Sequence, residues 1–320
     1  MNDSLIDPFY SRDAPYALQT YYGYVKAWAE KIVEIHGCPS KCFKHIEAKM
    51  AELKSIQKIQ GGRSLDKKIV AAFTRGGLTL KAMEYFPIQE NEDLAPIANL
   101  WLPVQAYYAV HGFGLAAMFA LGRDIPKDHR SFRAVFSEMS KKYFPAPLNA
   151  QCWGGPTDQQ FEFLNLDATI EKVKLQSNLS NPRYADNLDC LLGKCLSTTR
   201  KRFLEALFDM ERHKGVRRDK KRRNLSRGKK QNIVENLHAT SVADFLYRMR
   251  IRSNYDDPDI HLLASSQETS EAVKYYQELL FLTKFTAHPL RFIIQKKIGS
   301  KQWESLQKSL SRNRKSGVRS

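Results

Sequence analysis

One arginine in this chain lies on an otherwise apolar helix face, where its positive charge needs an anionic partner. An apolar stripe with the three- and four-residue steps of one helix face is formed by Val242, Phe245, Leu246 and Met249. Arg252 is the next position on that stripe, and a buried guanidinium without a partner is very costly. A phosphate bound by Arg252 would satisfy this requirement. Pairing with Asp256 or Asp257 at the helix end would also do so, and the helix alone favours this second interpretation.

Further polar residues lie close to Arg252 in the sequence. Arg248 comes one turn before it, whereas Arg250 points to another side of the predicted helix. Three more polar residues follow at the helix end, namely Asn254, Tyr255 and Asp256. We predict that these neighbours support Arg252 if the site holds a phosphate.

A second group of reactive residue types lies near the N-terminus, where His36, Cys38, Cys42 and His45 occur within ten positions. Histidine and cysteine are the residues that bind zinc, but a Cys-x3-Cys pair with flanking histidines is not a common zinc-finger spacing. Free cysteines around a turn between two helices are the favoured interpretation. The odd number of cysteines, five, fits a reducing compartment better than a disulfide framework.

The positive charge of the chain, +17 overall, is concentrated in two short segments. Residues 212–230 contain eleven Lys or Arg and one Asp, and residues 301–320 contain six Lys or Arg and one Glu. The first segment has almost no apolar residues, so we expect an exposed loop or arm that binds polyanions. Its candidate nucleic-acid-binding residues are Arg217, Arg218, Lys220, Lys221, Arg222, Arg223, Arg227, Lys229 and Lys230.

Binding through this arm would be steeply salt-dependent, because each neutralised phosphate releases counterions. No aromatic residue interrupts the arm, so stacking on bases is not encoded in it. A solvated loop with incidental charge stays an alternative. An anionic membrane surface is another, but no amphipathic helix or lipidation signal supports it.

The elements that must position these residues are helices. Helical spacing predicts helices over 14–36, 40–60, 65–74, 78–85, 130–143, 164–175, 184–212, 241–253 and 267–286, with a further helix opened by Pro289 and ended by Gly299. A long helix begins near Ile97 and ends at Gly122; its predicted core face comprises Ile97, Leu100, Trp101, Val104, Tyr108, His111, Leu115 and Met118. We interpret His111 on this face as a core histidine. Ser241 and Asp244 fit a capping box.

Composition limits the class of protein. Hydrophobic residues at 42% and charged residues at 27% are globular values. No stretch of eighteen apolar residues occurs and the N-terminus does not resemble a secretory signal, so we expect a cytoplasmic protein that does not enter a membrane. No phosphate-cradling glycine loop and no convincing metal set is present, so we expect neither a cofactor nor a metal.

Two segments carry a resemblance to a known family. The segment AYYAVHGFGLAAMFALGRDIPKDHRSF resembles the helix–loop–helix of the HEPN superfamily (higher eukaryotes and prokaryotes nucleotide-binding); the matching residues are Ala106–Ala109, Gly122, Pro126, Lys127 and His129. The segment FLYRMRIRSNYDDPD resembles the later helix of that family, with Arg250, Arg252, Asn254, Tyr255 and Asp256 in the matching positions. SQETSEAVKYYQELL is similar to the closing helix. The resemblance covers roughly 78–145 and 236–286.

The resemblance implies a mainly α fold, a HEPN-like helical bundle with additions. Its halves would be 78–145 and 236–300, with an N-terminal helical extension over 1–77 and a basic tail over 301–320. A long insertion, 146–235, would carry the basic arm.

It also implies RNA cleavage without a metal ion, in which a His acts near the 2′-hydroxyl or leaving oxygen and an Arg stabilises the phosphorane. Active members place four to six residues between that Arg and His. Here eight residues separate Arg252 from His261, which are the predicted catalytic pair. Arg123 and His129 have five residues between them, and we interpret that match as coincidental.

Two functional hypotheses follow from the resemblance. The first is a HEPN-type endoribonuclease acting on RNA, for example tRNA, in bacterial defence or a toxin system. The second is a non-catalytic HEPN module that binds nucleic acid or a partner protein. A structural helical protein whose basic arm docks on an acidic partner is a third possibility. HEPN pairs commonly dimerise through these helices, so we expect a homodimer.

Overall fold

The computed structural model describes residues 10–62, 64–124, 126–156, 160–164, 170–173, 188–214, 224–253 and 268–312. These residues are mainly helical, which confirms the mainly α part of the predicted fold class. The helices, numbered along the chain, are α1 (Tyr10–His36), α2 (Pro39–Glu52), α3 (Lys54–Gln57), α4 (Lys67–Glu84), α5 (Ala95–Ala120), α6 (His129–Tyr143), α7 (Leu188–His213), α8 (Arg227–Asn236), α9 (Val242–Ile251), α10 (Thr269–Ile298) and α11 (Ser300–Arg312). The strands are β1 (Gln151–Trp153), β2 (Gln160–Leu164) and β3 (Ile170–Val173).

The chain divides into two compact units. Unit 1 comprises Met1–Phe132 and Leu246–Ser320, and unit 2 comprises Arg133–Phe245. The division falls inside α6 and inside α9, whereas the sequence predicted an insertion from 146 to 235. Within the described ranges, no helix is both long enough and apolar enough to cross a membrane.

Unit 1 is organised around a close crossing of α4 and α5. A Cβ atom placed on Gly112 would lie 2.6 Å from Gly76 Cα, and one placed on Gly76 would lie 2.8 Å from the Phe113 backbone nitrogen. The two backbones therefore touch at a point where only glycine fits. The sequence prediction of two short helices separated by Gly76 and Gly77 was wrong, because these glycines belong to the interior of α4 and make the contact.

The face of α5 that the sequence assigned to the core is partly open to solvent. Ile97 and Trp101 are 57% and 60% exposed, and Tyr108 and His111 are half-buried. The opposite face is fully buried and rich in small residues, including Ala98, Ala106, Ala109, Gly112 and Ala116. Because α5 is apolar on every side, periodicity could not tell which face turns inward; small residues that allow close packing decide it.

Helix α10 also differs from its predicted form, since it continues through Pro289 to Ile298. Proline removes one backbone hydrogen bond and costs roughly 3 kcal/mol inside a helix. Buried residues on both sides of it, including Phe285, Leu290, Ile293 and Ile294, bury enough apolar surface to offset that cost. The prediction that Pro289 opens a new helix was therefore wrong.

Unit 2 contains a small antiparallel sheet in the order β1-β2-β3. Gln151 pairs with Glu162, and Leu164 pairs with Ile170. The sequence predicted a short helix over 164–175, which was wrong. Polar and apolar residues alternate along Gln160–Phe163, and this period of two favours a strand.

Two buried charged residues hold the other elements of unit 2. Arg200, only 1% exposed, donates to the carbonyl oxygens of Gly154 at 2.7 Å and His238 at 2.8 Å. Asp244 accepts from Arg133 at 2.6 Å, contacts His238 at 2.9 Å, and accepts from the Ser241 backbone N–H at 2.9 Å. Burial alone would raise the pKa of Asp244, but His238 and Arg133 lower it to about 2. The bond from the Ser241 N–H is one half of the predicted capping box, and the Ser241 hydroxyl donates to the Asp244 carboxylate at 3.2 Å.

The close crossing of α4 and α5 predicts that Gly112→Ala destabilises the protein. The added methyl group meets backbone atoms of α4 that cannot move aside, so we expect a loss of at least about 2 kcal/mol in the free energy of unfolding. Urea unfolding followed by circular dichroism measures this change.

Gly23→Ala is the matched control, because Gly23 lies in α1 with no atom within 4 Å of its added Cβ. It should stabilise the helix by about 0.5–1 kcal/mol. Equal stability of Gly112→Ala and the unchanged protein would contradict the close crossing.

Candidate functional site

A cluster of histidine, tyrosine and arginine side chains forms in unit 1 where three helices meet. Helix α5 supplies Tyr107 and His111, the first turn of α6 supplies His129, and the last turn of α9 supplies Tyr247 and Arg250. We call this group, together with Tyr108, the His–Arg cluster. The two segments singled out in the sequence therefore contribute residues to the same place.

The two histidines of the cluster lie next to each other. Their ring centroids are 5.3 Å apart, and a hydrogen bond of 2.8 Å joins His129 Nδ1 to Tyr107 Oη. Asp128 fixes the start of α6 by accepting from the Ser131 backbone N–H at 2.7 Å. This hydrogen bond occupies Nδ1 and leaves Nε2 as the ring nitrogen of His129 that can contact a ligand.

Arg250 lies against the tyrosines of the cluster. The centre of its guanidinium is 5.2 Å from the Tyr108 ring, 5.5 Å from the Tyr247 ring and 5.9 Å from the Tyr107 ring. It is only 8% exposed. Cation–π attraction on several sides fixes the orientation of the guanidinium before any ligand binds.

The pKa of His111 reports the charges that surround the cluster. Burial lowers its pKa, and the nearby positive groups His129, Arg75 and Arg250 lower it further, to about 3. Arg75 acts here because it precedes Gly76 in α4, just as His111 precedes Gly112 in α5. The charged groups found to act on His111 within the described residues are all cationic, so the potential at this ring is positive.

The cluster can be reached from solvent, because His111, His129, Tyr108 and Tyr247 are half-buried and Arg75 is exposed. His111 Nδ1 is buried and has no hydrogen-bond partner among the described residues. Positive charge, a fixed guanidinium and two imidazoles suit an anion that needs proton transfer, such as a phosphodiester.

The predicted catalytic residues lie elsewhere or outside the described ranges. Arg252 and the supporting Arg248 both contact Tyr21, with guanidinium centres 5.3 Å and 5.1 Å from its ring. Arg248 occupies a different side of α9 from Arg250, and Arg252 follows directly after the last residue of α9. Four predicted residues lie outside the described ranges, namely Asn254, Tyr255, Asp256 and His261. The structure therefore does not test whether Arg252 and His261 lie close together.

The basic arm is described only at its two ends, both within unit 2. Arg212 belongs to the last turn of α7 and bonds Asp209 at 2.8 Å. Arg227, Lys229 and Lys230 are exposed in the first turn of α8. The other predicted arm residues, from Arg217 to Arg223, lie outside the described ranges. Helix α8 is held by a small apolar cluster of Leu204, Phe208, Leu225 and Leu237.

The candidate zinc residues do not gather as ligands. Cys38 is exposed and Cys42 is buried, while the rings of His36 and His45 contact each other at 5.1 Å. Among the residues that the structure describes, no three His, Cys, Asp or Glu side chains are placed to hold a metal ion.

Sequence reasoning missed most of the His–Arg cluster. His111 was assigned to the core, Arg250 was set aside as pointing elsewhere, and the spacing of Arg123 and His129 was interpreted as coincidental. The available signal was their presence in the two HEPN-like segments. No protein-family model, no curated protein and no solved structure matches this chain.

The low pKa of His111 predicts a loss of stability in mild acid. Its folded pKa of about 3 lies below the ordinary 6.5, so His111 favours folding fully above pH 6.5. As the pH falls from 6.5 towards 3, only the unfolded chain gains this proton. Between pH 7.5 and 5.5 the loss should reach about 1.4 kcal/mol.

Urea unfolding at both pH values measures this loss, and His111→Phe serves as the comparison. Phenylalanine cannot titrate, so the pH dependence of its unfolding free energy should be smaller by that amount. The same pH dependence in both proteins would show that His111 titrates normally.

Proposed function

We propose that this protein is a HEPN-type endoribonuclease that cleaves RNA without a metal ion, and that the His–Arg cluster is its active site. The observation that carries the proposal is the convergence of His111, His129 and Arg250 at a positive, solvent-accessible position. The two segments that resemble HEPN helices both contribute to this cluster, which supports the family assignment. A role in defence or as a toxin is part of the same hypothesis.

The cluster contains the groups needed for an internal transesterification of RNA. His111 is neutral at pH 7 and can accept the proton of the ribose 2′-hydroxyl as its oxygen attacks phosphorus. His129 in its imidazolium form can donate a proton to the 5′-oxygen as the phosphorus–oxygen bond breaks, which leaves a neutral ring. Arg250 can stabilise the negative charge of the phosphorane. The products are a 2′,3′-cyclic phosphate and a free 5′-hydroxyl.

Binding of the substrate would also prepare His111 for its role. Burial would still lower the pKa of His111 in the complex, but the part of the lowering caused by the positive neighbours would be offset by the charge of the bound phosphodiester. The pKa of His111 would then rise towards its ordinary value, where an imidazole is an effective base. Substrate binding and the basicity of His111 are coupled in this scheme.

The second candidate is a HEPN module that binds RNA, or a partner protein, without cutting it. The low pKa of His111 favours this candidate, because a histidine with a pKa of about 3 is a poor base unless the bound ligand raises it. In both candidates the arm of unit 2, including Arg227, Lys229 and Lys230, would hold the RNA backbone with steep salt dependence.

We also propose that the protein forms a homodimer through the exposed stripe of α5. Ile97, Trp101, Val104, Tyr108, His111 and Leu115 follow one another at alternating steps of four and three, the spacing of a coiled-coil seam. Large exposed apolar residues at this spacing can pack against the same helix of a second copy of the chain. We place the contact on the exposed first part of the stripe, at Ile97 and Trp101, because burying His111 between two helices would close the proposed active site.

Loss of cleavage in cluster variants tests the proposed active site. His129→Gln and Arg250→Lys should each reduce cleavage of labelled single-stranded RNA by about 10²-fold or more, because each removes a group that acts only in the transition state. The reaction is run in EDTA with tRNA as a second substrate. Circular dichroism and thermal melting establish that each variant is folded.

Arg252→Lys is the matched control, since it makes the same change at a nearby arginine that lies over the ring of Tyr21, and it should retain cleavage. Loss of activity in Arg252→Lys and His261→Ala, with full activity in His129→Gln, would place the chemistry at the pair predicted from sequence instead. Salt-sensitive binding without cleavage by the unchanged protein would select the second candidate.

Trp101→Glu tests the proposed dimer. A charge at this position, which is 60% exposed, should not disturb folding but should prevent burial of the stripe, giving a monomer by light scattering. Met210→Glu, at a position 70% exposed in unit 2, should leave the dimer intact. A monomeric unchanged protein would contradict the proposed pairing.

A further inference from the structure

The first turn of α2 presents an exposed thiol in an unusual setting. Cys38 precedes the helix and accepts hydrogen bonds through its carbonyl from the backbone N–H groups of Lys41 at 2.9 Å and Cys42 at 3.0 Å. Its Sγ lies 3.1 Å from Ser40 Oγ. The side chain is therefore held at the positive end of a fourteen-residue helix, in contact with a hydroxyl group.

This setting favours the thiolate form of Cys38. The hydrogen bond from Ser40 lowers the pKa of the thiol, and the backbone N–H and positive charge of Lys41 add to the effect. The other cysteines are less accessible: Cys190 is half-buried, and Cys42, Cys152 and Cys195 are buried. Burial raises the pKa of Cys42, and it raises that of Cys152 to about 12.

Cys42 lies one helical turn after Cys38. Its thiol donates to the Pro39 carbonyl at 3.2 Å. The hydrogen bond from the Cys42 backbone N–H to the Cys38 carbonyl closes an α-helical turn, which separates the two Cα atoms by about 6 Å. A disulfide requires a Cα separation of roughly 4.4–6.8 Å, so this pair meets the Cα condition, and its two side chains must turn from Ser40 and Pro39 to close the bridge.

We propose that Cys38 is a redox-reactive thiol that forms a reversible disulfide with Cys42 when it meets a peroxide. The Cys38 thiolate attacks one oxygen of hydrogen peroxide, the oxygen–oxygen bond breaks, and hydroxide leaves. Cys38 is then a sulfenic acid, and the peroxide is reduced by two electrons. The Cys42 thiol attacks the Cys38 sulfur, the sulfur–oxygen bond breaks, and water leaves with the Cys42 proton.

The short ring gives this disulfide a regulatory rather than a structural character. A bridge across one turn closes a very short loop, so it removes little entropy from the unfolded chain and stabilises the fold only slightly. Such bridges are readily reduced by a cellular thiol. The proposal does not depend on the function proposed above, because neither cysteine belongs to the His–Arg cluster.

Counting thiols before and after oxidation tests the proposal. The reduced full-length protein is treated with about one equivalent of hydrogen peroxide, denatured in N-ethylmaleimide and weighed by mass spectrometry. The reduced chain should take up five maleimides, one for each cysteine, and the oxidised chain two fewer. Peptide mapping should find Cys38 linked to Cys42, and dithiothreitol should restore full labelling.

Three variants make the result specific. Cys190→Ser should still lose two thiols, whereas Cys38→Ser should lose none. Cys42→Ser should stop at the sulfenic acid, which dimedone labels at Cys38. Ser40→Ala should move the pH profile of Cys38 alkylation by iodoacetamide to higher pH. Unchanged labelling after oxidation, a disulfide between another pair, or oxidation that persists in Cys38→Ser would overturn the proposal.

Discussion

The contact between Gly76 and Gly112 is the constraint on which unit 1 depends. Without side chains at these positions, α4 and α5 meet backbone to backbone. The residues just before the two glycines, Arg75 and His111, are brought into electrostatic contact by the same crossing. A larger residue at either glycine would separate the helices and move Arg75 away from the imidazole. Packing of small residues thus determines both the core and the charge at the candidate site.

The His–Arg cluster combines features that protein interiors usually keep apart. A buried guanidinium and two imidazoles lie together, and the rings of Tyr108 and Tyr247 lie against the guanidinium of Arg250. Burial is the main cause of the low pKa of His111, and the cationic neighbours that lower it further also favour an anionic ligand. In unit 2 a buried charge is paired with groups of opposite charge or with a hydrogen-bonding ring, since Asp244 contacts both Arg133 and His238. One arrangement favours stability, and the other is suited to binding.

The sequence predicted the helical class and most helix positions, because helical periodicity is a local property. It could not predict the inward face of α5, since that helix is apolar all round and the choice depends on Gly76 of another helix. The same limitation concealed the cluster: His111, His129 and Arg250 are far apart in the chain and meet only through tertiary packing. Arg252 was predicted as a site residue because its apolar stripe can be recognised within one segment of the sequence. The environment of Arg250 includes Tyr108, which is distant in the sequence, so it could not be predicted in that way.

Nuclear magnetic resonance of the histidine rings would test the central claim most directly. The full-length protein is titrated with acid, alone and with a single-stranded RNA whose 2′-hydroxyls are methylated so that it cannot be cleaved. If the His–Arg cluster binds the phosphodiester, the pKa of His111 rises from about 3 towards its ordinary value in the complex. An RNA that binds and leaves the pKa values of His111 and His129 unchanged would contradict the account.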